Sequence, residues 1–206
     1  MNIVFDFGAV LFDWQPAQLL SHHFPDLVTT PEQAQQLARD VFHHPDWQGF
    51  DRGTVALDDV IARTASRLLL AHDDLHQVLA PIGERLAPIA CNIELLAGLC
   101  ERRDRQGGLK LYYLSNMPAP FARALERRHE FLSWFDGGIF SGDVKLAKPD
   151  PAIFNLLASR YQLEAAKTLF IDDSLANVQA AHALCWQTIH CEAPERLPVQ
   201  VMNKLS

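Results

Sequence analysis

The sequence predicts an α/β fold: a doubly wound, Rossmann-like parallel sheet interrupted by an inserted α-helical unit. Three observations lead there. Short, uniformly apolar runs alternate with amphipathic helical patterns through most of the chain. A long helical stretch without a convincing strand separates the first run from the second. Most of the runs end on a polar residue, as they do where a sheet edge carries a site.

The elements follow in order. Residues 2–7, "NIVFDF", tolerate burial on both faces and read as a buried parallel strand. So do 109–114 ("LKLYYL"), 168–172 ("TLFID") and 186–191 ("WQTIHC"), with 137–142 ("GGIFSG") as a further candidate. Helices are expected over about 92–105, 118–130, 151–161 and 175–184, giving right-handed crossovers between parallel strands. Residues 15–88 form the predicted insert, and 1–14 with 89–206 the core. Within the insert, 31–42 and 57–71 carry apolar residues at helical spacing. Thr30 is placed to cap the first of these, with Pro31 in its first turn. Pro16 and Pro88 mark expected hinges.

Bulk properties exclude several classes. The chain of 206 residues fits one large domain or a core with a sizeable insert. Its formal charge of -7, with no run of Lys or Arg, leaves no footprint for nucleic acid. No stretch approaches the roughly 20 apolar residues of a membrane span, and no secretory leader is evident. The cysteines Cys91, Cys100, Cys185 and Cys191 show no CxxC pair or metal-ligand spacing. A cytoplasmic protein with reduced thiols is expected, as a monomer or homodimer.

The strand ends supply the chemistry. Asp6 closes the first strand, Ser115 and Asn116 the second, and Asp172 and Asp173 the "FIDDS" strand, with Asn177 a helical turn later. Lys148 stands in "KPDP", just before a predicted helix. Taken singly, each has a plain structural reading as turn, cap or solvated surface residue. Their joint occurrence at successive strand ends is what points to a site. Three crowded carboxylates repel unless a hard divalent ion, Mg²⁺, sits among them. That ion and Lys148 would neutralise a phosphate, letting Asp6 attack phosphorus and form an aspartyl-phosphate.

The stretches "VFDFGAVLFD", "LYYLSN", "KPDPAIF" and "FIDDSLANVQAA" together resemble the four motifs of the haloacid dehalogenase superfamily, across nearly the whole chain. The insert matches that family's α-helical cap. "FDRGTVALDDV" is similar to a segment of the subgroup holding the N-terminal phosphatase domain of soluble epoxide hydrolases and bacterial sugar-phosphate phosphatases. The resemblance implies Asp6 as nucleophile, Ser115 (with Asn116) as phosphate ligand and Lys148 as the phosphate-orienting residue. It implies Mg²⁺ held by Asp6, the Gly8 carbonyl and Asp173, with Asp172 acting partly through water. The implied substrate is a small phosphorylated metabolite, with a sugar phosphate as the example the resemblance suggests.

One position departs from the pattern. The family's usual proton donor stands two residues after the nucleophile, where this chain has Gly8. General acid–base help contributes about 10²–10⁴ in rate. Three readings follow: a phosphatase using a good leaving group or another acid (Asp13, His22, His23, His43 and His44 are at hand), a dehalogenase, or a phospho-ligand binder without turnover. The paired "DD" weakens the dehalogenase reading, because that branch dispenses with metal. Arg52, flanked by Gly49 and Gly53, is the candidate substrate contact from the cap, unless it pairs with Asp46 or Asp51. Trp14 and Trp47 are expected to pack rather than bind.

Overall fold

The computed structural model describes residues 1–205. Five strands, β1 (Asn2–Phe5), β2 (Lys110–Ser115), β3 (Gly137–Phe140), β4 (Thr168–Asp172) and β5 (Gln187–His190), form one sheet in the order β3-β2-β1-β4-β5. Every pairing is parallel. The first strand is central: Val4 pairs with Tyr112 on one side and Phe170 on the other.

Between β1 and β2 lie α1 (Pro16–His23), α2 (Pro31–Phe42), α3 (Pro45–Asp51), α4 (Leu57–Leu68), α5 (His72–Leu79), α6 (Ile82–Arg85) and α7 (Ala90–Gln106). The remaining helices are α8 (Ala119–Arg128), α9 (Ser141–Val144), α10 (Pro151–Tyr161), α11 (Leu175–Ala183) and α12 (Leu197–Leu205). No helix of the described residues is long and apolar enough to cross a membrane. All four cysteines are free.

Alternation along β1 explains why its run is apolar throughout. Ile3 and Phe5 enter one apolar cluster, while Val4 faces another with Tyr112, Leu114 and Phe170. The larger cluster continues without a break from the sheet into the inserted helices. Its link is a chain of aromatics: Phe42 on Trp47 (4.6 Å), Trp47 on Phe50 (5.5 Å) and Phe50 edge-on to Phe121 of α8 (5.2 Å). Phe50 is 3% exposed, so its burial alone contributes about 1.5–3 kcal/mol to seating α3 on the core.

The α2 start follows the sequence expectation. The Thr30 hydroxyl accepts from Gln33 N, the Gln33 side chain accepts from Thr30 N, and Pro31 opens the helix. Elsewhere the structure differs. The helix expected over 57–71 ends at Leu68, because Leu69 takes a left-handed backbone (φ 55), and α5 begins afresh at His72. Pro16 and Pro88 are not free hinges either. Pro16 is the first residue of α1, and Pro88 bridges Phe12 in a short antiparallel ribbon. Asp13 N donates to Ala87 O and Ile89 N to Leu11 O, both at 2.8 Å, so the two chain crossings hold each other.

Candidate active site

The parallel sheet brings the residues that follow β1, β2 and β4 to one rim. Asp6 comes directly after β1, where its backbone N–H donates to Ile171 O of β4 (2.9 Å). Ser115 ends β2 and is buried. Lys148 arrives from the loop between α9 and α10. Asp150 caps α10 by accepting from Ala152 N, and Pro151 takes the first helical position. That fixes the loop just beyond the lysine.

Asn116 fixes it from the other side, and here the structure departs from the expectation of a phosphate ligand. Its Nδ2 donates to Lys148 O (2.9 Å), and its Oδ1 accepts from Lys148 N (2.8 Å). Both ends of the side-chain amide are occupied in clamping the Lys148 peptide. Asn116 therefore positions the lysine.

The Lys148 side chain is 1% exposed, and its Nζ lies 2.8 Å from Asp6 Oδ1 and 2.6 Å from Asp172 Oδ2. Asp172, fully buried, also accepts at Oδ1 from Ser174 N (2.8 Å) and Asn177 Nδ2 (2.9 Å). It is thus saturated by protein groups. Asp6 is held by fewer groups: its buried Oδ1 meets Lys148 Nζ and no other donor. Burial pushes the Asp6 carboxyl up to about 7, aided by repulsion from Asp172 and Asp173 and opposed by Lys148. Burial would also lower Lys148, but the Asp172 and Asp6 carboxylates outweigh it and raise its pKa.

Asp173 is exposed toward the rim, and one carboxylate oxygen from each of Asp6, Asp172 and Asp173 lies within 4.8 Å of the others. Partial desolvation at the crowded rim and the neighbouring Asp172 hold its pKa above the usual carboxylate range. Three acids face a single ammonium, so negative charge is in excess. An all-oxygen donor set with negative charge in excess suits a hard divalent cation, and the residues fit Mg²⁺.

A cavity of about 410 Å³ opens over this rim, lined at its base by Asp6, Gly8, Ser115, Lys148 and Asp173. Its opposite wall comes from Trp14, the helices between β1 and β2, and α8: Trp14, Phe42, Trp47, Ile82, Leu86 and Phe121 are apolar, and His43, Asp51 and Arg52 are polar. Arg52 has no carboxylate partner among the described residues; its Nη1 reaches only Gln48 O at 3.5 Å. Asp46 pairs instead with Arg63 (3.0 Å). Trp47 is buried and Trp14 half-buried, packed edge-on to Phe42 at 5.0 Å.

The acids offered in place of the one missing at Gly8 mostly lie elsewhere. Asp13 is exposed, accepts from Gln15 Nε2 (2.8 Å), and lines a second cavity with His22 and His23. His44 caps α3 through Nδ1. Only His43 borders the site. At Gly8 itself a side chain would fit: an added Cβ would meet nothing nearer than the Trp14 ring at 3.6 Å. The group that sequence reasoning passed over is Asp51, considered only as a partner for Arg52. Its signal was present: it stands four residues after Trp47, which sets an acid on the buried side of α3.

A family model described as haloacid dehalogenase-like hydrolase matches residues 54–184. The chain belongs to the haloacid dehalogenase-like hydrolases. The match spans Ser115, Asn116, Lys148, Asp172 and Asp173 of this hydrolase; Asp6 and Gly8 precede it. Among curated proteins, the hydrolase is 29% identical over 188 residues to a sesquiterpene phosphatase of Aspergillus oryzae, covering 91% of this chain and 87% of that one. It is 25% identical over 202 residues to a drimenol cyclase of Aspergillus calidoustus, 98% of this chain but only 36% of that protein. Among solved structures, a haloacid dehalogenase family enzyme of Bacteroides thetaiotaomicron, in complex with magnesium and inorganic phosphate, superposes with a TM-score of 0.66. At 18% identity over 91% of this chain and 92% of that one, this likeness concerns the fold.

Proposed function

We propose that this hydrolase is a Mg²⁺-dependent phosphatase that cleaves a small phosphomonoester through an aspartyl-phosphate on Asp6. The observation that carries the reading is Lys148, buried between Asp6 and Asp172 at the base of a cavity also bordered by Ser115 and Asp173. A lysine so placed favours the anionic form of Asp6 against the burial that raises its carboxyl, and presents positive charge to an incoming phosphate. Ser115 offers a hydroxyl to a phosphate oxygen, and Asn116 keeps Lys148 in place. Asp6 Oδ attacks phosphorus, and water later cleaves the acyl-phosphate.

Asp6, Asp173 and the Gly8 carbonyl are the groups that would hold Mg²⁺, with Asp172 behind them acting through water. When bound, the ion supplies charge neutralisation for the phosphoryl group. The name of the Aspergillus oryzae relative and the metal and phosphate in the Bacteroides thetaiotaomicron complex both support this reading.

The insert acts as the cap that selects the substrate. Its wall of Trp14, Phe42, Trp47, Ile82 and Leu86 favours an apolar organic group over the sugar expected from the sequence, with Arg52 as the polar contact. The test is hydrolysis of p-nitrophenyl phosphate with Mg²⁺, with EDTA and by Asp6→Asn. Metal-dependent turnover lost in Asp6→Asn supports the phosphatase. Turnover that survives EDTA or the substitution overturns it, as does the absence of turnover.

A further inference from the structure

A phosphatase with glycine in place of the usual acid still has to protonate the oxygen that leaves. The cavity holds one carboxyl that the mechanism above leaves unused. Asp51, the last residue of α3, lines the same space as Asp6, Gly8 and Lys148. Its carboxyl has no ion pair and no hydrogen bond among the described residues. Its backbone, in contrast, is fixed. The Ser141 hydroxyl donates to Asp51 O and itself accepts from Met117 N (2.8 Å), two residues beyond Ser115. Two residues on, Gly53 lies so close to the core that a Cβ there would come within 2.5 Å of Gly142 O. The end of α3 is therefore docked against Ser141 and Gly142, with an unpaired carboxyl among the groups that line the cavity.

We propose that Asp51 is the acid–base residue of this hydrolase, delivered by the insert instead of by the position two residues after the nucleophile. The assignment rests on the phosphatase reading. In the first half-reaction Asp6 Oδ bonds to phosphorus and the ester P–O bond breaks. The departing alcohol oxygen takes the Asp51 proton. In the second, the Asp51 carboxylate takes a proton from water as that water's oxygen bonds to phosphorus. The bond to Asp6 breaks, releasing phosphate and restoring both carboxyls. The charge state suits the first step. Burial raises the Asp51 carboxyl to about 8, with Asp6 adding to the rise and Arg52 and Lys148 opposing it, so the proton is present at neutral pH.

Leaving-group dependence isolates this role. An alkoxide is a strong base and needs a proton to depart, whereas p-nitrophenolate hardly does. The experiment compares kcat/KM for hexyl phosphate and p-nitrophenyl phosphate, with Mg²⁺, in wild type, Asp51→Asn and Asp51→Asn/Gly8→Asp. The ratio of the two substrates on one preparation does not depend on how much of it is folded. For Asp51→Asn, kcat/KM for hexyl phosphate should fall about 10²- to 10⁴-fold, with the aryl ester little changed. The second substitution, for which the Trp14 side has room, should restore part of the loss. An equal fall on both substrates, or none on either, overturns the assignment and leaves the phosphatase reading standing. A wild type that hydrolyses neither ester removes both.

Discussion

Replacing Lys148 by methionine removes the cation buried between Asp6 and Asp172 and leaves the two carboxylates facing each other. At an effective dielectric of about 20, each pair at these separations is worth about 6 kcal/mol of gross attraction. Much of that is offset by the cost of taking the lysine out of water, so the pairs make a poor case for net stability. Removing one partner is a different matter, because the carboxylates stay buried and lose their counter-charge. Asp172 keeps the Ser174 and Asn177 donors, whereas Asp6 Oδ1 keeps none. Asp6 can relieve the repulsion only by taking up a proton. The expected loss is about 3–5 kcal/mol, equivalent in a chain of this size to a melting point lower by about 6–20 °C. The assay is urea unfolding with EDTA present, for wild type, Lys148→Met, Asp172→Asn and the double variant. Removing Asp172 as well should recover part of the loss, with a coupling energy of about 1 kcal/mol or more. A Lys148→Met protein that loses less than about 1 kcal/mol, or a double variant that is merely additive, would refute the reasoning.

Two further predictions concern other parts of the molecule. Gly53→Ala places a Cβ on a left-handed backbone (φ +68) and against Gly142 O; it should cost about 1–3 kcal/mol in urea unfolding and lower turnover by loosening α3 over the site. Asp136 takes Leu111 N–H (2.9 Å), Lys110 Nζ (2.9 Å) and Arg103 Nη1 (3.3 Å), which together outweigh the upward push of burial and hold its carboxyl below the usual range. Asp136→Ala should therefore cost about 1–3 kcal/mol at pH 7. Because the folded pKa is the lower one, this contribution is present above the ordinary aspartate range and disappears as pH falls through the depressed value. Thermal melts from pH 7 to pH 3 should show the gap between wild type and variant closing at the acid end.

Much of the architecture was legible because burial leaves a plain mark on sequence. Strands covered on both faces must be largely apolar, and 2–7, 109–114 and 168–172 each overlap such a strand, whereas 186–191 contains the half-buried edge strand β5. Capping chemistry is equally local, so Thr30 and Pro31 announced α2. The boundary at Leu69 was hidden, because a leucine carries no sign that it will adopt a left-handed conformation. The site was readable as a set of strand ends, since a parallel sheet sends them all to one edge. The tasks of single side chains were less readable. Asn116 looks like a ligand until its amide is seen spanning the Lys148 peptide, a contact 32 residues away in the chain. Asp51 looks like a surface acid until α3 is docked, and that docking depends on Ser141 and Gly142, far along the sequence. Residues joined by tertiary contacts leave no local pattern to find.

The central position of β1 has a consequence for biosynthesis. Asn2 pairs with Lys110 and with Thr168, so the strand that precedes Asp6 is made long before either neighbour exists. At about 5–20 residues per second, some 8–35 seconds of elongation separate β1 from β4. Through that interval Ile3, Val4, Phe5 and Phe7, all destined for full burial, have no sheet to join. The helices of the insert, which pack on one another as well as on the core, can begin to form meanwhile. Ribosome-bound chains halted before residue 168 should thus offer this apolar segment to a holdase chaperone and surrender it once β4 has emerged.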